Sequence, residues 1–200
     1  MNSDFKPTNS FEIQNSKGFF EKLIQEYLDF DKEHLNPRFA INAAITSWHL
    51  TDWTYQEFYK TDTRFQDTRE KSKNISGLSK YQDFLKNLCP ELEYMRKITN
   101  GSKHCKINRE NRTEISMGDF SPYDFDRNDF DVPRFIIISD NSNEEIDFEE
   151  TLKITIEFWK TFLDEQYRKQ IDLLLQINHK TIQKRYRFLN IIMQNSVFFH

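Results

Sequence analysis

A chain of 200 residues can bury the core of one domain, with or without an appendage. It has only 4 glycines against 19 phenylalanines, which leaves few tight turns and favours long helices over a many-stranded barrel. The net charge of -4 gives no overall pull toward nucleic acid, so any basic surface has to be local.

The two cysteines, Cys89 and Cys105, are too few for a four-ligand metal site and fit a reducing cytoplasm. No apolar run reaches transmembrane length. The opening MNSDFKPTNS lacks the charged-then-apolar pattern of a signal peptide. The expectation is a cytoplasmic protein with no membrane contact, cofactor or metal.

Residues 1–15 read as a polar arm. Ser16 can cap a first helix, whose Phe20, Leu23, Ile24 and Tyr27 recur at helical spacing before the pattern fades near His34. Asn36-Pro37 is a restart signal, with Asn as the cap and Pro at the first helical position. From there RFAINAAITSWHLTDWTYQEFY reads as a long buried helix, with Ile41, Ala44, Ile45 and Trp48 on one stripe. Its alanines allow close approach by a neighbour. Residues 61–75 are polar and read as a short helix plus loop. Ser79 to Leu88 is the next helix, with Tyr81, Phe84, Leu85 and Leu88 on one face. Cys89-Pro90 starts another, which keeps helical spacing through Leu92, Met95, Arg96 and Thr99 to an Asn100-Gly101 stop.

Arg112 to Met117 alternates weakly, as a strand does. PRFIIIS, residues 133–139, is the best strand in the chain, because it is β-branched, apolar and short. A DNSN turn follows, and EEIDFEE can return as its partner, placing a hairpin near residues 133–149. GDFSPYDFDRNDFDVP is a long loop. Leu152, Ile156, Trp159, Leu163, Tyr167, Ile171 and Leu174 then step by three or four, which marks one long amphipathic helix. Asn178-His179 reads as an interruption before Ile182, Tyr186, Leu189 and Met193 resume the stepping. The fold class is therefore mainly α: a helical bundle over residues 16–176 with a small inserted β-hairpin, and a C-terminal helical tail over 177–200.

Three constellations could carry chemistry. Arg96 and His104 flank the Asn-Gly stop. An arginine holds a phosphate with two hydrogen bonds, and a histidine moves a proton near neutrality. Together they suit cleavage of an RNA phosphodiester, where the 2′-hydroxyl is the nucleophile and no metal is needed. If the helix continued, the two would lie just over two turns apart. The structural alternative makes Arg96 a surface charge and His104 a loop residue. His49 and Asp52, at i and i+3, can share a hydrogen bond on one helix face, either as part of a site or as a self-satisfied pair beside Trp48 and Trp53. Asp124, Asp126, Asn128 and Asp131 alternate like a calcium loop. Asp129 stands where that loop needs glycine and Phe135 where it needs glutamate, so a solvated loop or a docking surface for a basic partner fits better.

The tail after Leu173 contains no acid. Lys180, Lys184 and Arg187 fall at i, i+4 and i+7, with Arg185 beside them and Tyr186 and Phe188 interleaved. That pattern suits a phosphate backbone with base stacking. It suits equally a helix whose apolar side docks on a partner while its bases stay in water. The nearly continuous apolar stripe favours the partner, and the terminal VFFH needs a cover.

RKITNGSKH resembles the Arg-to-His signature of the HEPN superfamily, helical proteins common among RNA-cleaving toxins and phage-defence proteins. Seven residues separate Arg96 from His104 here, against four to six in the signature, and Lys97 stands where Asn, Asp or His is more usual. The chain also resembles a group of uncharacterised bacterial proteins in ITSWHLTDW, in NGSKH, and in a final hairpin followed by a helix with FW. That likeness covers about Gly18 to Leu163. The resemblance implies a metal-independent endoribonuclease in which Arg96 holds the scissile phosphate, His104 acts as acid or base and Lys103 adds charge near the transition state. The alternatives are an inactive bundle fixed in a larger complex by its C-terminal helices, and a nucleic-acid-binding module working through the tail. The partners these imply are a second copy of the chain, other subunits of a complex, or RNA.

Overall fold

A computed structural model describes residues 11–70, 73–103, 112–116, 133–138 and 144–196, and not the side chains at 70, 73, 112, 174, 175 and 177–196. The chain is mainly helical. It divides into two units, Met1–Thr161 and Phe162–His200.

In the first unit α1 spans Ser16–Lys32 and α2 spans Pro37–Thr54. Asn15, one residue before the expected Ser16, caps α1, its side chain accepting from Gly18 N–H at 2.8 Å. Ser16 is inside the helix, and its N–H donates to the buried carboxylate of Glu57 at 2.7 Å. A negative charge there also complements the helix dipole. Asn36 caps α2 with Pro37 at the first position, as the sequence predicts. A five-residue π-helix, Tyr55–Tyr59, extends α2 and carries Glu57.

Helix α2 is the centre of the unit. The small residues Ala40, Ala43, Ala44, Ser47, Thr51 and Thr54 are buried along it, whereas Ile41 from the expected stripe is partly exposed. Small side chains let helices approach closely, and hydrogen bonds fix the seams. Thr54 Oγ1 accepts from Tyr81 Oη at 3.0 Å, Trp159 Nε1 donates to Ser47 O at 3.1 Å, and Ser47 Oγ bonds Thr155 Oγ1 at 3.1 Å.

Residues 61–75 depart from the short helix plus loop expected of them. A 3₁₀ turn at Thr63–Phe65 leads into an antiparallel ribbon, β1 (Thr68–Glu70) paired with β2 (Lys73–Ile75). Its strands are short and mostly polar, so no apolar alternation marks them in the sequence. Helix α3, Gly77–Leu88, starts two residues earlier than expected because Ser76 caps it, accepting from Ser79 N–H at 3.1 Å. Gly77 sits so close to Phe65 O that a Cβ there would overlap the carbonyl.

Helix α4 spans Leu92–Lys103. The turn over Cys89–Glu91 precedes it, so Cys89-Pro90 introduces the helix without belonging to it. The helix passes straight through Asn100-Gly101, where a stop was expected. Glycine costs a helix only about 1 kcal/mol. Buried Thr99, bonded weakly to Ala44 O at 3.4 Å, ties this end of α4 to α2.

The hairpin is part of a three-stranded antiparallel sheet ordered β3 (Arg112–Ser116), β4 (Arg134–Ile138), β5 (Glu145–Asp147). Ile137 pairs with Thr113 on one side and Ile146 on the other. EEIDFEE pairs only as far as Asp147. The Asp147 side chain then accepts from Glu150 N–H at 2.9 Å, so Phe148 opens a helix. That helix, α5, spans Phe148–Ser196 and runs unbroken through Asn178-His179, where an interruption was expected. Within the first unit Leu152 and Trp159 are buried along α5, and Phe148 meets Phe30 edge-on at 5.3 Å. In the second unit Glu165 and Lys169 pair at 2.6 Å, and Ile171 and Leu173 are 58% and 57% exposed.

Candidate functional site

Arg96 lies on α4 with its guanidinium turned back on the carboxylate one turn before it. Its Nε and Nη2 donate to Glu93 at 2.8 and 2.6 Å. The Lys86 ammonium stands between Asp83 at 2.9 Å and the same Glu93 at 3.4 Å. Burial pushes the Glu93 carboxyl up, but Arg96 and Lys86 outweigh it and hold the group below its ordinary value. An open hollow of about 360 Å³ lies against this network, lined by Asp83, Lys86, Asn87, Pro90 and Glu93. Lys86, its one basic lining residue, and Arg96 beside it both face carboxylates, so an incoming phosphate would have to displace Glu93 to gain the guanidinium fork.

Lys103 is the last residue of α4 and is exposed. His104 lies outside the described residues, as do Cys105 and the acidic loop with Asp124, Asp126, Asn128 and Asp131. Among the described residues no cluster of His, Cys, Asp or Glu could hold a metal. Lys180, Lys184, Arg185, Tyr186 and Arg187 fall on the backbone of α5, and their side chains lie outside the description.

His49 is half-buried on α2, and Asp52, one turn on, is exposed. Burial is the main cause that lowers the imidazole's pKa; Lys103 adds to it, Asp52 opposes it and Lys22 of α1 adds a smaller push. Burial raises the Asp52 carboxyl, against the pull of His49 and a hydrogen bond from Gln56. Asp52 therefore takes its hydrogen bond from Gln56, and its link to His49 is one of charge. Lys22 reaches across from α1, donating to Thr46 Oγ1 at 2.6 Å and to Glu26 Oε1 at 2.7 Å. Beside it Phe19 stacks on Trp53 with ring centroids 4.6 Å apart.

The structure thus pairs Arg96 with Glu93, and Lys103 acts on His49 only through its charge. The Arg96–Glu93 pair falls at i and i+3, a spacing that signals it in the sequence. The participation of Lys22 had no signal at all, since its contact with Thr46 spans 24 residues. Glu57 was equally hidden, because a lone acid in an aromatic run does not announce a buried cap. Cys89 is buried, and burial together with Glu91 pushes its thiol up to about 12, which makes it inert.

Compared with known proteins, the chain matches no family model, no curated protein and no solved structure.

Proposed function

We propose that this chain is an interaction subunit: a HEPN-like helical bundle held in a larger assembly through its C-terminal helix. The observation that carries this reading is α5, 49 residues long and still helical at Ser196, with Ile171 and Leu173 more than half exposed. An isolated helical segment in water gains little from its own hydrogen bonds and needs an apolar partner. The pairing of Arg96 with Glu93 supports the same reading, because it occupies the group a nuclease would need. The associations this suggests are a homodimer or a complex of a defence system. The test is light scattering of the full chain and of a chain ending at Gln176. The reading expects a particle larger than the 24.3 kDa chain that reverts to a monomer on truncation. A truncated chain that still assembles overturns it.

A second reading is favoured by the uninterrupted course of α4 from Arg96 to Lys103. It is a metal-independent ribonuclease of a toxin or phage-defence system, with Arg96 holding the scissile phosphate, His104 moving the proton and Lys103 adding charge near the transition state. Cleavage of mixed tRNA and mRNA in EDTA, lost in His104→Ala with the fold intact, is its expected result. Cleavage that persists in the variant rules it out.

A further inference from the structure

Burial along α5 ends before the helix does. Gln166 is buried, Ile171, Asp172, Leu173 and Gln176 are exposed, and the backbone stays helical to Ser196. From Ile171 onward the sequence places Leu175, Asn178, Ile182, Tyr186, Leu189 and Met193 at steps of three or four. The steps repeat every eleven residues, so Ile171, Ile182 and Met193 hold equivalent positions. Such a repeat averages about 3.67 residues per turn, close to the roughly 3.6 of a straight helix. The stripe therefore keeps to one side of α5 for about 33 Å, at about 1.5 Å per residue. Lys180, Lys184 and Arg187 fall on the other side, roughly 140–160° round from Ile182, and Arg185 alone flanks the stripe. A partner laid along the stripe needs no acids to answer those three bases.

Asn178 is the exception in an otherwise apolar or aromatic row. Asparagine is a poor helix former, yet α5 runs straight through it. Against an apolar partner its amide would lose water and gain no hydrogen bond. A second asparagine at the same level offers both a donor and an acceptor. We propose that the occupant of this stripe is a second copy of the chain, its α5 parallel and in register so that Asn178 meets Asn178. The inference rests on the assembly reading and names its partner. A single polar position in the seam of paired helices fixes their register. Identical faces related by a two-fold axis close as a dimer. The row from Ile171 to Met193 covers about three heptads, the extent over which paired helices are recognised. The orientation follows from what is already covered. An antiparallel pair centred on Asn178 would set Met193 against Leu163, which is buried within its own protomer. The parallel pair opposes each residue of the row to its own copy and draws on none that is already buried.

The experiment combines sedimentation velocity of the full chain with disulfide trapping by oxidised glutathione in a Cys105→Ser background. Asn178→Cys and Leu189→Cys should each trap a covalent dimer, and Lys184→Cys, on the other side of the helix, should not. Asn178→Asp sets two carboxylates together and should weaken dimerisation at pH 7 by about tenfold or more, whereas Lys180→Asp leaves it unchanged. Trapping at position 178 without trapping at 189 overturns the parallel arrangement. Equal trapping through Lys184→Cys overturns the assignment of the face. A larger particle that is lost on truncation at Gln176 but is trapped at neither position overturns this inference and leaves the assembly reading standing. A full chain that sediments as a monomer overturns both.

Discussion

Glu93 holds Arg96 through two hydrogen bonds of 2.8 and 2.6 Å, and Lys86 shares the same carboxylate at 3.4 Å. The pair is about a quarter exposed, so it is screened but not fully solvated. A double-mutant cycle of Arg96→Ala and Glu93→Ala should give a coupling of about 0.5–1 kcal/mol in urea unfolding at pH 7. Additive effects would mean that the guanidinium is not held by Glu93 in solution.

His49 makes stability depend on pH. Its folded pKa lies below the ordinary 6.5, so the unfolded chain binds more protons as the medium turns acid. Its contribution is therefore neutral above about 6.5 and destabilising as pH falls toward the folded value. Glu93 acts lower down, since its depressed carboxyl favours folding above the ordinary 4.5 and that favour is lost as pH drops. Urea unfolding at pH 7.5 and 5.5 should show a loss for the native chain that His49→Gln largely removes. An unchanged slope in the variant would assign the loss to other groups.

Gly77 has no room for a side chain. A Cβ would overlap Phe65 O, the backbone at the end of the turn before the ribbon. Gly77→Ala should cost about 1–3 kcal/mol, the range for overpacking. Thermal unfolding would register this as a fall of several degrees. A variant as stable as the native chain would show that this turn gives way freely.

Trp159 is fully buried and donates to Ser47 O at 3.1 Å. Trp159→Ala removes the packing and the bond that carbonyl accepts besides its helix bond, and the expected cost is about 3–5 kcal/mol. Equilibrium unfolding measures it directly. A loss under 1 kcal/mol would mean that α5 is not docked on α2 in solution.

Cys89 should resist thiol reagents while the protein is folded. Its thiol is buried and pushed to about 12. In a Cys105→Ser background, labelling at pH 8 should proceed only after denaturant is added. Rapid labelling in native buffer would show that the turn over Cys89–Glu91 opens.

Much of the fold was legible because apolar spacing repeats. The stripe from Leu152 to Leu163 and the Asn36-Pro37 start both correspond to helices, and PRFIIIS holds the central strand of the sheet. The ribbon of β1 and β2 was not legible, since short, mostly polar strands leave no apolar alternation to read. The Asn100-Gly101 stop misled because local preference there is worth about 1 kcal/mol, less than the packing of Thr99 against α2 can outweigh.

By itself the sequence determined most of the helical segments and which residue types could carry charge or chemistry, because both follow from near neighbours in the chain. The tertiary structure decided who meets whom. It drew Lys22 over Thr46, bonded Tyr81 to Thr54 and set Trp159 on Ser47. These encounters depend on how helices far apart in sequence pack side by side. Only the folded core specifies that packing.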